Sequence, residues 1–170
     1  MQTKTKQENI DNLHPGKVVI LKKKTLRESL LTVSSVVYQS GKMGQATGVF
    51  LLGTTSKDKF FEQIVVGNTG IDSWKLASGY FTKQEYGAIR EELDRLALLP
   101  IFIDDEPGLD GAIIVERTFS LAEFLQKKGE HLNLIAIYAF GKCLSSEDKK
   151  KLQKLAADLS VAIIIVEREK

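Results

Sequence analysis

The sequence predicts an α/β fold in which a mostly parallel sheet is covered by helices on both faces. Three observations carry that expectation. Apolar runs of strand length, VVIL, GVFLL, PIFI, LIAIY and VAIIIV, alternate along the chain with amphipathic stretches of helix length, the pattern of an α/β layer architecture. Within each run the apolar residues are consecutive, as strands buried on both faces of a parallel sheet require. Helix starts are marked by Ser or Thr three residues ahead of Glu, at Thr25-x-x-Glu28, Thr82-x-x-Glu85 and Ser120-x-x-Glu123. In such a pair the hydroxyl and the carboxylate each satisfy a free N–H of the first turn.

Taken in order, residues 1–12, MQTKTKQENIDN, are polar and without periodicity and read as a flexible N-terminal arm,. A single domain, 13–170, follows. Its expected elements are strand 17–21, helix 26–39, strand 48–53, helix 57–66, helix 83–98, strand 100–103, helix 121–128, strand 133–138, helix 146–158 and strand 161–166,. Gly41-Lys42-Met43-Gly44 reads as a helix-to-strand turn. Gly67, Asn68, Gly70 and Gly79 make 67–80 loop-rich, with Trp74 as a packing anchor inside it,. The segment 111–119, GAIIVERTF, reads either as a short extra strand or as an irregular insertion before the helix at 121.

Composition removes several functional classes. A chain of 170 residues can bury a core without disulfides or metals,, and a net charge of +2 is too small to mark a strongly nucleic-acid-binding surface,. The single Cys143 cannot form an internal disulfide, and the first residues carry no signal-peptide pattern, so the expected compartment is the cytoplasm,. No apolar run approaches the ~18–20 residues that span a bilayer. Cys143 has no recognisable base beside it and reads as an inert thiol. His14 and His131 lack partners at ligand spacing, so no metal and no cofactor are expected. Asp104-Asp105-Glu106, at a strand end, reads as a turn before Pro107-Gly108, with a metal site as the alternative,.

The strand-to-helix junction near residue 24 is where a nucleotide-binding α/β domain carries its phosphate loop. A P-loop, G-x-x-x-x-G-K-[S/T], wraps phosphates with backbone N–H groups that its glycines expose. Between Gly16 and Gly41 this chain has no glycine. Thr25 and Glu28 are instead expected to occupy the helix-start donors that would otherwise meet phosphate. The basic run Lys22, Lys23, Lys24 with Arg27 is a possible anion site: positive charge opposes the dipole at a helix start, and an anion would relieve it. A solvated charge run is the plain alternative. With no aromatic residue inside the run to stack bases, nucleic-acid binding is expected to be weak. The run Lys149-Lys150-Lys151 with Lys154 reads as the exposed face of a helix.

The stretch 75–109, KLASGYFTKQEYGAIREELDRLALLPIFIDDEPGL, resembles the ATPase domain of DnaB-type replicative DNA helicases, whose K-L-x-S-G turn is followed by a helix and by L-P-I-x-I-D-D-x-P-G-L. Leu13-His14-Pro15-Gly16 is similar to that family's entry into its first strand, and LNLIAIY occupies the place of its Walker B strand. The resemblance covers roughly 13–166, with about five extra residues between Gly111 and Leu132,. It implies a three-layer RecA-like core of the P-loop NTPase type.

Carried over by position, the resemblance places Glu28 at the last P-loop glycine, Ser29 at the P-loop lysine and Leu30 at the Ser/Thr. Thr54 falls where a glutamate activates water, although Thr is no general base at neutral pH. Tyr138 falls where an aspartate holds Mg²⁺ through water. Glu167 and Arg168 stand near a glutamine that senses the nucleotide. These replacements imply a catalytically dead, helicase-like pseudo-ATPase domain. The first expectation for its role is a protein-binding or regulatory module linked to DNA replication, docking on a replicative helicase or another replication factor, with homo-oligomers possible. The alternatives are a nucleic-acid-binding accessory protein using the basic strand end, and a nucleotide sensor that binds without hydrolysis.

Overall fold

The computed structural model describes residues 13–169, so the expected N-terminal arm, 1–12, lies outside the described residues. The elements are β1 (Val18–Lys23), α1 (Leu26–Lys42), β2 (Ala46–Leu51), α2 (Lys57–Thr69), α3 (Ser73–Ser78), α4 (Lys83–Ala97), β3 (Ile101–Asp104), α5 (Gly111–Lys127), β4 (Leu132–Ala139), α6 (Ser146–Leu159) and β5 (Ala162–Arg168). The five strands form one sheet in the order β1-β5-β4-β2-β3. Every pairing is parallel.

Side chains alternate across the sheet, so each strand feeds two cores. On one face Leu21, Val49, Leu51, Leu134, Ala136, Tyr138, Ile164 and Val166 pack with Leu30, Val33 and Val37 of α1 and with Phe60 and Ile64 of α2. On the other, Phe50, Ile135, Ile137, Ile163 and Ile165 pack with Ile114 and Leu125 of α5 and Leu152 and Leu155 of α6. This is the three-layer arrangement the apolar runs imply. The doubly buried pattern holds throughout β2 and, apart from Asn133 and Arg168 near the strand ends, in β4 and β5. Contrary to expectation, β1 and β3 are edge strands: Ile20 is exposed, and all four residues of β3 are only partly buried, because each has a neighbour on one side alone.

Three expectations need correction. The segment 111–119 is neither strand nor irregular insertion but the first half of the continuous helix α5, capped by Asp110, whose side chain accepts from the Ile113 N–H at 2.9 Å. Ser120 is therefore no helix start; its hydroxyl donates to the Glu116 carbonyl one turn back. The region 67–80 holds the end of α2 and the short helix α3, and Trp74 on α3 is 59% exposed rather than a packing anchor. At the start of α1, the Thr25 hydroxyl accepts from the Glu28 N–H at 3.1 Å, but no bond from the Thr25 N–H to the Glu28 carboxylate completes the box. Among the described residues, only Thr82–Glu85 and Ser145–Asp148 form complete capping boxes.

Helix α1 runs three residues beyond expectation, which places Gly41 and Lys42 in its last turn and leaves Met43-Gly44 as the link to β2. Strand β1 is shifted as well, so that Lys22 and Lys23 are its last residues, in register with Glu167 and Arg168 of β5.

Candidate functional site

In open parallel sheets ligands bind beyond the carboxyl ends of the strands, and here that rim holds the residues singled out from the sequence. β1 delivers Lys22 and Lys23, β2 leads into Gly53 and Thr54, β4 ends at Tyr138 and Ala139, and β5 ends at Arg168. The start of α1 brings Arg27, Glu28, Ser29 and Leu30.

Two of these positions, 109 residues apart in sequence, meet. The Ser29 hydroxyl lies 3.2 Å from the Tyr138 hydroxyl, and both side chains are buried. Ser29 also donates to the Leu26 carbonyl at 2.7 Å. A serine has a single hydroxyl proton, so Tyr138 is the donor in the shared bond. Burial raises the Tyr138 phenol above its ordinary value, with the hydroxyls of Ser29 and Thr55 acting against that rise. The phenol therefore stays neutral, as a buried donor should. Leu30 is buried in the same core. Where the resemblance places the lysine, the Ser/Thr and the magnesium-holding aspartate, the structure has one hydrogen-bonded, apolar-walled contact.

The loops that follow β2 and β4 approach each other closely. Gly53, at φ 95°, adopts a backbone that side-chain-bearing residues rarely reach,, and a Cβ there would stand 3.3 Å from the Gly141 Cα. The chains leaving β2 and β4 thus run backbone against backbone. Thr54 is exposed on that loop. Beyond Tyr138, the Phe140 ring stacks on it at 6.2 Å between centroids and 18° between planes. The Arg168 guanidinium lies 5.8 Å from the Phe140 centroid, within cation–π range. Sequence reasoning missed Phe140, although a period-two extension of β4 places it on the same face as Tyr138.

The basic run divides between the two faces. Lys23 sits beside Arg168 in register, while Lys22 sits beside Glu167, which pairs with Lys149 at 2.8 Å on the opposite face. Lys149 is thus drawn out of the solvent-facing run expected of α6.

The acidic segment after β3 is a structural turn. Asp104 accepts from the Glu106 N–H at 3.1 Å, Asp105 accepts from the Lys57 N–H at 2.9 Å, and Arg117 of α5 pairs with both Asp104 and Glu106. No group of three His, Cys, Asp or Glu residues that could hold a metal is present among the described residues. Cys143 is exposed. No helix among the described residues is long and apolar enough to cross a membrane.

The fold is that of the RecA-like ATPase core of helicases. The chain is similar to a DnaB-like replicative helicase solved for its interactions with primase, with a TM-score of 0.77 and 15% identity, covering 92% of this chain and 39% of that one. It is similar also to a protein solved as an ATPase domain, again with a TM-score of 0.77 and 15% identity, covering 91% of this chain and 58% of that one. The chain spans less than two thirds of either. No family model matches it, and no curated protein matches it. At this identity the likeness is one of fold.

Proposed function

We propose that this chain is a helicase-like domain that has lost ATP hydrolysis and acts in the cytoplasm as a protein-docking module in DNA replication. The observation that carries the reading is the Ser29–Tyr138 contact. A nucleotide's β- and γ-phosphates need a cradle of free N–H groups, a lysine and a metal-holding carboxylate. Here the corresponding positions bond to one another and sit in a packed core. Thr54 offers no base in place of the glutamate.

The docking half of the proposal draws on the surface formed by α2, α3 and α4. Trp74, Tyr80 and Tyr86, on and between α3 and α4, are all more than half exposed, and a shallow groove between the three helices is walled by Phe61, Val65, Leu76, Ile89 and Leu93. Exposed aromatics and an apolar groove on one set of helices are the composition of interface cores. The rim is charged and ordered, with Lys59 on Glu62 and Lys75 on Glu85. The fold likeness supports a DnaB-type replicative helicase as the partner, because a domain of the same fold can present a subunit-like surface.

The test is size-exclusion chromatography of the purified chain with such a helicase, alongside thermal melting with Mg-ATP. The expected result is a co-eluting complex, lost on Trp74→Glu, and no nucleotide-dependent change in Tm. A ligand at a hundred times its Kd would stabilise the domain by ~2.7 kcal/mol. Saturable stabilisation by Mg-ATP would replace this reading with a nucleotide sensor.

A further inference from the structure

We infer that Lys23, Lys24, Arg27 and Arg168 form one cationic strip that binds the phosphate backbone of a nucleic acid without reading its bases. The four come from three elements that the sheet brings together. Lys23 ends β1, Arg168 ends β5 opposite it, and Lys24 and Arg27 flank the first turn of α1. Adjacent strands are about 4.8 Å apart, so Lys23 and Arg168 are neighbouring positions on one face of the sheet. Neither these two nor Lys24 and Arg27 make an ion pair with any described residue, while Lys59, Lys75, Arg95, Arg117, Lys149 and Lys151 all do. Glu28 and Glu169, the carboxylates nearest in sequence, pair with none of the four. The positive end of the α1 dipole adds to the same field. Charge of one sign gathered at this density is relieved by a polyanion.

Arg168 gives the strip its chemical preference. Its guanidinium is held over the Phe140 ring, and that ring is backed by the buried Tyr138. A guanidinium fixed in orientation donates as a rigid fork, which suits phosphate oxygens. None of the four residues of the strip is aromatic, so the strip itself offers no ring on which a base could stack,. The strip contacts backbone only. Lys22 is excluded, since β-strand alternation turns it to the face of Glu167 and Lys149. Ser29 and Tyr138 bond to each other at the positions that the resemblance gives to the P-loop lysine and the metal-holding aspartate, which argues against a mononucleotide as the ligand.

The experiment is fluorescence anisotropy of the isolated chain with a mixed-sequence single-stranded oligonucleotide, and separately with the matching duplex, across a salt series. It involves no protein partner, so its failure would leave the docking proposal untouched. Four phosphate contacts give a log–log salt slope of about −2.8 for a single strand and about −3.6 for a duplex. Between about 50 and 200 mM salt, affinity should then fall ~50- to 150-fold. Arg168→Gln should lower the slope by about 0.7–0.9, and Lys23→Gln by a similar amount. Both variants change partly or fully exposed side chains, and their folding is checked by melting. Lys150→Glu and Lys154→Glu, on the exposed side of α6, should leave the slope unchanged. The inference is overturned if these two reduce binding as much as the strip variants do, which would make the effect one of net charge. It is overturned equally if polyglutamate competes as well as the oligonucleotide, if inorganic phosphate alone saturates the site, or if no binding is seen at the lowest salt.

Discussion

Replacing Tyr138 by Phe removes one oxygen from the middle of the candidate site and leaves its packing volume nearly intact. Tyr138 is fully buried, and its hydroxyl donates to Ser29. Ser29 keeps its second bond, to the Leu26 carbonyl, so the change leaves no orphaned donor on α1. The cost is then the net value of one buried hydrogen bond, about 1 kcal/mol, equivalent to a fall in Tm of roughly 2–4 °C for a domain of this size. Ser29→Ala should cost more, about 1–3 kcal/mol, because it leaves the buried Tyr138 hydroxyl without its acceptor,. If the two hydroxyls act on each other, the double variant should cost less than the sum of the single ones, with a coupling of about 0.5–1 kcal/mol. Urea denaturation of the four proteins measures this, provided their m-values agree. Strictly additive effects, or a Tyr138→Phe protein as stable as the parent, would refute the argument that the site is closed by this contact. Tyr138→Ala is the coarser control: the cavity it leaves should cost ~3–5 kcal/mol.

Other outcomes follow from features outside the site. Trp74 is the only tryptophan and stands exposed on α3, so its fluorescence should be red-shifted and readily quenched by iodide; a blue-shifted, protected emission would show that α3 packs differently. Arg117→Gln should free Asp104 and Glu106, speed hydrogen exchange across 105–110 and lower Tm, whereas unchanged exchange would mean that the turn holds without the arginine. Glu85 sits below the ordinary carboxylate range, first through its hydrogen bond from Lys75 and then through the Thr82 N–H. The unfolded chain binds the proton more readily, so this group's contribution is complete above the ordinary value of 4.5 and is lost as pH falls through the depressed folded value,. In Glu85→Gln the acid limb of a stability–pH curve should be shallower than in the parent; an identical limb would contradict the pairing.

Much of the fold was legible because its strands are apolar at consecutive positions and its helices carry local start signals. The misreadings have definite causes. GAIIVERTF is rich in β-branched residues and so looks like a strand, yet Asp110 supplies a helix cap and Ile114, Thr118, Leu121 and Leu125 recur at helical spacing. Tertiary packing against β4 and α6 decided in favour of the helix. Trp74 looked like an anchor because large aromatics usually bury, but α3 is six residues long and has no buried residue. That β1 and β3 lie at the edges depends on strand order, on which local composition is silent. The same holds for the site: residues 29 and 138 can be named from the family likeness, but their contact arises only because β4 lies across the sheet from the first turn of α1. Arg168 acquires its ring partner in the same way, through the extension of β4 to Phe140.

The most direct test of the closed site is a backbone amide NMR titration of the chain with Mg-ATP. If Ser29 and Tyr138 fill the nucleotide position, the amides of residues 24–30 and 138–141 should show no saturable shift at millimolar ligand, as should Gly53 and Thr54. A saturable shift confined to those amides, abolished by Ser29→Trp, would contradict the account.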